Sequence, residues 1–201
     1  MAALFSVSAI FSVKVIMFST KKIWKSLACV CALFAAQSSF GADNAFTSVS
    51  AEFGSGNKTQ MLRVGVQADW DVRWFQSNGT HLGGYWDASL AEWRSKAYRN
   101  VAGQTQNLTD IGFTPVFRFE RDDKKGFYAE GGIGFNRLSK LYDNDGRRLS
   151  TLFEFGDHIG VGYVFDNKLE LGAKIQHFSN GGYKHPNSGV NWLEVKTSYH
   201  F

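Results

Sequence analysis

Leu62-Arg63-Val64-Gly65-Val66-Gln67-Ala68-Asp69-Trp70-Asp71-Val72-Arg73-Trp74 is the stretch whose reading decides the fold. Every second residue is apolar and none of those between is, a period of two that matches an extended strand and no helix. The polar set carries charges of both signs, which suits a hydrated or ion-paired interior. The apolar set then faces outward. Working outward, the same alternation recurs near 46–54, 80–94, 108–121, 126–137, 150–165, 168–179 and 190–201. Outward sets read Leu82, Trp86, Ala88, Leu90, then Ile111, Phe113, Phe117, Phe119, then Phe127, Ala129, Ile133, Phe135. Segment 150–165 adds Phe153, Phe155, Ile159, Val161, Tyr163 and Phe165, with Asp157 interrupting that face, as a bulge or a polar partner would explain.

These segments make eight strands. No apolar run reaches the length a membrane helix needs, so a helical membrane protein is excluded. Short connections (Gln76–Gly79, Asp122–Lys125, Asp166-Asn167) alternate with longer ones (Ser95–Asn107, Leu138–Leu149, Asn180–Gly189). Short periplasmic turns and longer extracellular loops are the habit of outer-membrane barrels. The chain ends with Val195, Thr197, Tyr199 and Phe201 on one parity, which resembles the C-terminal signature of bacterial outer-membrane proteins. A soluble eight-stranded barrel would turn the apolar parity inward. Glycines on the opposite parity (Gly83, Gly112, Gly132, Gly134, Gly160, Gly162, Gly172) argue instead for a narrow filled lumen. Trp70, Trp74 and Trp86 suit an interfacial girdle. The expected fold is all-β, an eight-stranded antiparallel transmembrane β-barrel in a bacterial outer membrane.

The barrel is assigned residues 42–201, because the start of the chain reads as a signal peptide, residues 1–41. Lys21, Lys22 and Lys25 precede the apolar run Leu27–Ala36, and small residues lead to a cleavage point after Gly41 with Ser39 at −3. Met17 is the better start, since residues 1–16 only add a second apolar leader. Both cysteines, Cys29 and Cys31, fall in the leader, so residues 42–201 hold no thiol. Four of the 22 basic residues (Lys14, Lys21, Lys22, Lys25) also fall there, against none of the 18 acidic ones. The net charge of +4 is therefore a property of the leader. Nucleic-acid binding loses its support.

Along 168–179 the apolar parity runs Leu169, Leu171, Ala173, Ile175, and then His177 and Ser179. A strand would point an imidazole and a hydroxyl toward lipid, near its extracellular end. His and Ser two apart on one strand face lie roughly 6.5–7 Å apart at Cα. The imidazole can thus act as base for a hydroxyl that is a weak nucleophile at neutral pH.

His-Phe-Ser-Asn-Gly-Gly at 177–182 and His-Pro-Asn-Ser-Gly at 185–189 resemble the lipid A 3-O-deacylase (PagL) family of outer-membrane enzymes. The resemblance implies a serine esterase that removes the 3-O-linked acyl chain of lipid A, remodelling lipopolysaccharide without metal or cofactor. It further implies His177 as base, Ser179 as nucleophile, Asn180 as an oxyanion donor through its backbone or side-chain N–H, and Asn187 as a second polar residue of the loop. A homodimer is also implied. The family's glutamate, two residues after the glycine matching Gly189, is here Asn191. An amide can orient a histidine but lacks the carboxylate's charge. Glu194 is the alternative third member, but parity turns it into the lumen; Asn191 shares the parity of His177.

Other features weigh less. His81, His158, His185 and His200 share no metal-ligand spacing. Arg147, Arg148 and Lys184 sit on expected outer loops where lipid A phosphates could meet them. The competing functions are a non-enzymatic small barrel, adhesin or structural, and another outer-membrane acyl hydrolase or transferase. The first gives no reason to aim His177 and Ser179 at lipid. A transferase needs an interior acyl pocket that a small charged lumen does not offer.

Overall fold

The computed structural model describes residues 46–201. The expected leader, its start at Met17 and its cleavage point lie outside the described residues. Eleven strands follow in order: β1 (Ser48–Gly56), β2 (Thr59–Asp69), β3 (Trp74–Ser77), β4 (Thr80–Ser95), β5 (Gln106–Arg121), β6 (Gly126–Leu138), β7 (Asp143–Asn144), β8 (Arg147–Arg148), β9 (Phe153–Val164), β10 (Leu169–Ser179) and β11 (Val190–His200). Eight of these form one antiparallel wall ordered β2-β1-β11-β10-β9-β6-β5-β4, and pairing of β2 with β4 closes it. Closure leaves no sheet edge, the condition for a strand protein to cross lipid.

The boundaries depart from expectation where the tertiary structure overrides the pattern. The strand expected over 62–74 ends at Asp69. There the Trp70 N–H bonds Gly84 O at 2.8 Å and its indole lies over Gly84, where a Cβ would fall 2.4 Å from the ring. The chain bends at Asp71 and resumes as β3, paired with β4. Trp70 meets Trp74, Trp86 and Phe117 at ring distances of 6.1, 5.4 and 5.0 Å, so the continued alternation reflects an aromatic girdle. β2 begins early because Asn57 and Lys58, at φ 47° and 52°, form a two-residue turn of the kind that continues strand twist. β9 starts at Phe153 because the preceding residues form the β7–β8 hairpin and bridge Leu149 to Asn187.

Exposure alternates along the wall as the sequence predicts. Phe127, Ile133, Ile159 and Val161 face outward with at least 62% of their surface exposed. A continuous apolar exterior of this kind marks a lipid-facing surface.

Inside, the mid-lumen is a lattice of buried ions. Arg118 holds Glu130 at 2.6 Å and Glu170 at 2.9 Å. Lys196 and His200 also reach Glu170, at 3.1 and 2.8 Å. Arg63 bridges Glu52 and Asp87, and Lys174 joins Glu52 to Glu194. Buried charges persist only when paired like this.

The loop end of the lumen differs from the charged interior expected. Trp93 packs edge-on against Phe178 and Trp192, each at 4.8 Å, above Met61, Leu138, Leu149 and Val190. Those on strands share the inward parity with the ions, Leu149 joins them from the loop after β8, and together they form an apolar plug.

Candidate active site

β10 climbs to the loop end with Phe178 turned into the plug at 1% exposure. Strand alternation then forces its neighbours His177 and Ser179 to the outer face, where both are half-buried. The flanking strands bring their own side chains beside the imidazole. In register, His177 faces Asn191 of β11 on one side and Asp157 of β9 on the other. The Asn191 Oδ1 accepts from His177 Nδ1 at 2.6 Å. That bond selects the tautomer with Nε2 free to take a proton.

Gly189 fixes the ring from the loop side. Its φ is 64°, and a Cβ there would lie 2.5 Å from His177 Cε1. Alanine would add left-handed strain of about 1–2 kcal/mol and push the imidazole out of line. Misplacement by about 1 Å costs roughly 100-fold in rate. Gly189→Ala is expected to lower kcat by about that factor while the barrel still folds. Kinetics on the purified protein, with heat-modifiable gel mobility as the folding control, check this.

Ser179 leads into a loop held by asparagines. Its Oγ accepts a long hydrogen bond, 3.4 Å, from the Gly181 N–H. Asn180 is buried, and its donors are engaged within the loops. Its N–H goes to Asn187 Oδ1 at 3.2 Å, and its Nδ2 to Lys184 O at 2.7 Å and Ser150 Oγ at 3.3 Å. The sequence reading offered Asn180 as an oxyanion donor; in this structure it frames the loop, and the N–H directed at the serine oxygen belongs to Gly181. The Asn187 amide oxygen is fixed by Asn180, while its Nδ2 has no partner among the described residues.

Glu194 lies in the lumen at 0% exposure, 3.1 Å from Lys174, on the far side of the wall from His177. Asp157, which looked like a flaw in an apolar face, stands beside His177. Only the register between β9 and β10 could have revealed it. His158 is in the lumen wall, His200 binds Glu170, and His81 contacts Asp122 at 3.0 Å.

An outward groove of about 640 Å³ begins at His177 and Asp157, lined by Pro115, Phe117, Gly131, Ile133, Ile159 and Ile175. Gly131 adds no side chain to it, and Pro115 removes an N–H from the β5 ladder. A second depression shares Ile159 and Ile175 and continues over Ala129, Val161, Ala173 and Leu193. Small residues thus carve an apolar track along the barrel wall, with His177 and Asp157 at one end.

Comparison with known proteins follows the geometry. The family model described as lipid A 3-O-deacylase (PagL) matches residues 60–200. The lipid A deacylase PagL of Pseudomonas aeruginosa is 33% identical over 144 residues, 71% of this chain and 79% of its own. That of Bordetella bronchiseptica is 30% identical over 183 residues, 88% of this chain and 92% of its own. The crystal structure of the outer membrane enzyme PagL aligns with a TM-score of 0.66 and 30% identity, covering 77% of this chain and 99% of that one.

Proposed function

The chain belongs to the lipid A 3-O-deacylase (PagL) family of outer-membrane enzymes, and we propose that it cleaves the 3-O-acyl ester of lipid A through His177 and Ser179. The observation that carries this reading is the His177–Asn191 hydrogen bond on the outer face, where the apolar groove reaches His177 and Ser179 follows two residues on along the same strand face. The loop end is the extracellular end, so the site meets the outer leaflet.

His177 Nε2 takes the Ser179 proton as Oγ attacks the ester carbonyl. The Gly181 N–H and Asn187 Nδ2 are the donors available to the oxyanion. The tetrahedral species collapses as His177 returns its proton to the departing sugar oxygen, leaving the acyl chain on Ser179. Water, deprotonated by His177, then releases the fatty acid. The acyl chain lies along the groove, where burying apolar length stabilises binding by about 0.8 kcal/mol per CH₂. Asn191 holds the tautomer without supplying charge. Among the described residues the lumen is filled by the apolar plug and the ion pairs, which argues against the interior acyl pocket a transferase would need. The homodimer implied by the resemblance is not needed for this chemistry, since every group named lies in one chain.

Mass spectrometry of lipid A from cells making the protein tests the reading. Loss of one 3-hydroxyacyl chain is the expected result; lipid A unchanged despite folded protein in the outer membrane would overturn it. The role of Asn191 has its own test. A charged acceptor strengthens such a hydrogen bond by about 1–1.5 kcal/mol, so Asn191→Glu should raise kcat about 10-fold. Asn191→Ala should lower it. If instead Glu194→Ala abolishes turnover in a folded barrel while Asn191→Ala is silent, Glu194 is the orienting residue.

A further inference from the structure

Above the plug, three extracellular loops enclose a cavity of about 580 Å³ that the esterase chemistry does not use. Arg99 comes from the first, Asp143, Arg148 and Ser150 from the second, and Lys184 from the third. Three cations thus face one carboxylate. Arg148 shares that carboxylate at 3.4 Å, and Arg99 lies over the Tyr98 ring at 5.2 Å. The Lys184 ammonium has no carboxylate partner among the described residues.

The walls are built rather than adventitious. The Arg99 N–H bonds Asp143 O at 3.2 Å, Asn144 Oδ1 accepts from the Ala97 N–H at 2.7 Å, and Ser150 Oγ donates to Lys184 O at 2.7 Å. Three loops locked in this way reduce the backbone ordering cost of binding. Leu149 and Pro186 add an apolar wall suited to a sugar face.

We propose that this cavity binds a phosphate-bearing sugar of the glycolipid headgroup and so registers the ester at Ser179. The proposal rests on the esterase reading for its substrate. Guanidinium groups match phosphate oxygens in fork geometry, and the surplus of two positive charges matches a phosphate monoester. The link to the reaction is short: Lys184 O holds the Asn180 side chain at 2.7 Å, and Asn180 follows the nucleophile directly.

Two substrates in mixed micelles test it: bisphosphorylated lipid A and the same lipid with both phosphates removed. The wild type should show kcat/KM about 10-fold higher on the phosphorylated form, mostly through KM. Arg148→Ala should erase that preference while leaving the dephosphorylated substrate unchanged. Lys184→Gln, which alters no hydrogen bond among the described residues, should reduce it in the same direction. Arg121→Ala on the opposite rim is the charge control. Equal kcat/KM for the two lipids in the wild type overturns the proposal, as does an equal fall for both in Lys184→Gln. Binding of the same lipids to the Ser179→Ala protein separates this proposal from the esterase reading. A preference for phosphate without turnover in the wild type leaves the cavity assigned and sinks the esterase. Displacement of lipid A by micromolar inorganic phosphate would assign the cavity to the free anion and overturn the headgroup reading.

Discussion

Replacing Ser179 by alanine should lower the rate of lipid A deacylation by at least about 10³-fold, because the acyl-enzyme route is lost and only positioning and oxyanion donors remain. In the proposed mechanism the loss is one of kcat, since the groove assigned to the acyl chain is untouched. His177→Ala should fall to a similar floor. The double variant should sink no further, because base and nucleophile act as one unit and their losses do not add. Single-turnover release of fatty acid by the three purified proteins measures this. A Ser179→Ala protein retaining a tenth of wild-type turnover would remove Ser179 as nucleophile.

The second large effect concerns stability. Arg118 is 4% exposed and holds two carboxylates while its guanidinium lies 3.8 Å from the centre of the Tyr128 ring. Arg118→Met leaves Glu130 and Glu170 to share Lys196 and His200, so the buried cluster loses one positive charge with nothing to replace it. Removing one partner of a buried pair costs about 3–5 kcal/mol. With a urea slope of roughly 1–3 kcal/mol per molar, the unfolding midpoint in detergent should drop by about 1–2 M or more. Adding Glu170→Gln should recover part of the loss by removing the stranded charge. A midpoint unchanged by Arg118→Met would mean that water, not Arg118, balances those carboxylates.

The barrel was legible in sequence because its wall separates lipid from a polar interior, and that contrast writes a period of two into each strand. The same contrast marked His177 and Ser179, two polar side chains on the lipid parity. Asn191 and Glu194 could be placed on opposite sides of the wall by counting parity alone. Asp157 beside His177 could not be foreseen, since its meaning depends on which strand is the neighbour and in what register. Nor could the Asn180–Lys184–Ser150 strut, because loops have no period. The end of β2 at Asp69 was hidden by Trp70 and Trp74, which keep the alternation after the ladder has stopped. Trp93, Phe178 and Trp192 went unread as a group, because only their convergence in three dimensions makes a plug.

That plug has an electrical consequence. Among the described residues, Trp93, Phe178 and Trp192 cork a lumen whose middle is filled by buried ion pairs, an arrangement that opposes the passage of ions and solutes. The outer membrane can therefore carry many copies without becoming leaky. Phe178, which sits in the cork, also separates His177 from Ser179 in the chain. One tripeptide seals the barrel with its middle residue and turns the two residues proposed to react toward lipid with its ends, so the cork and the proposed site share one segment.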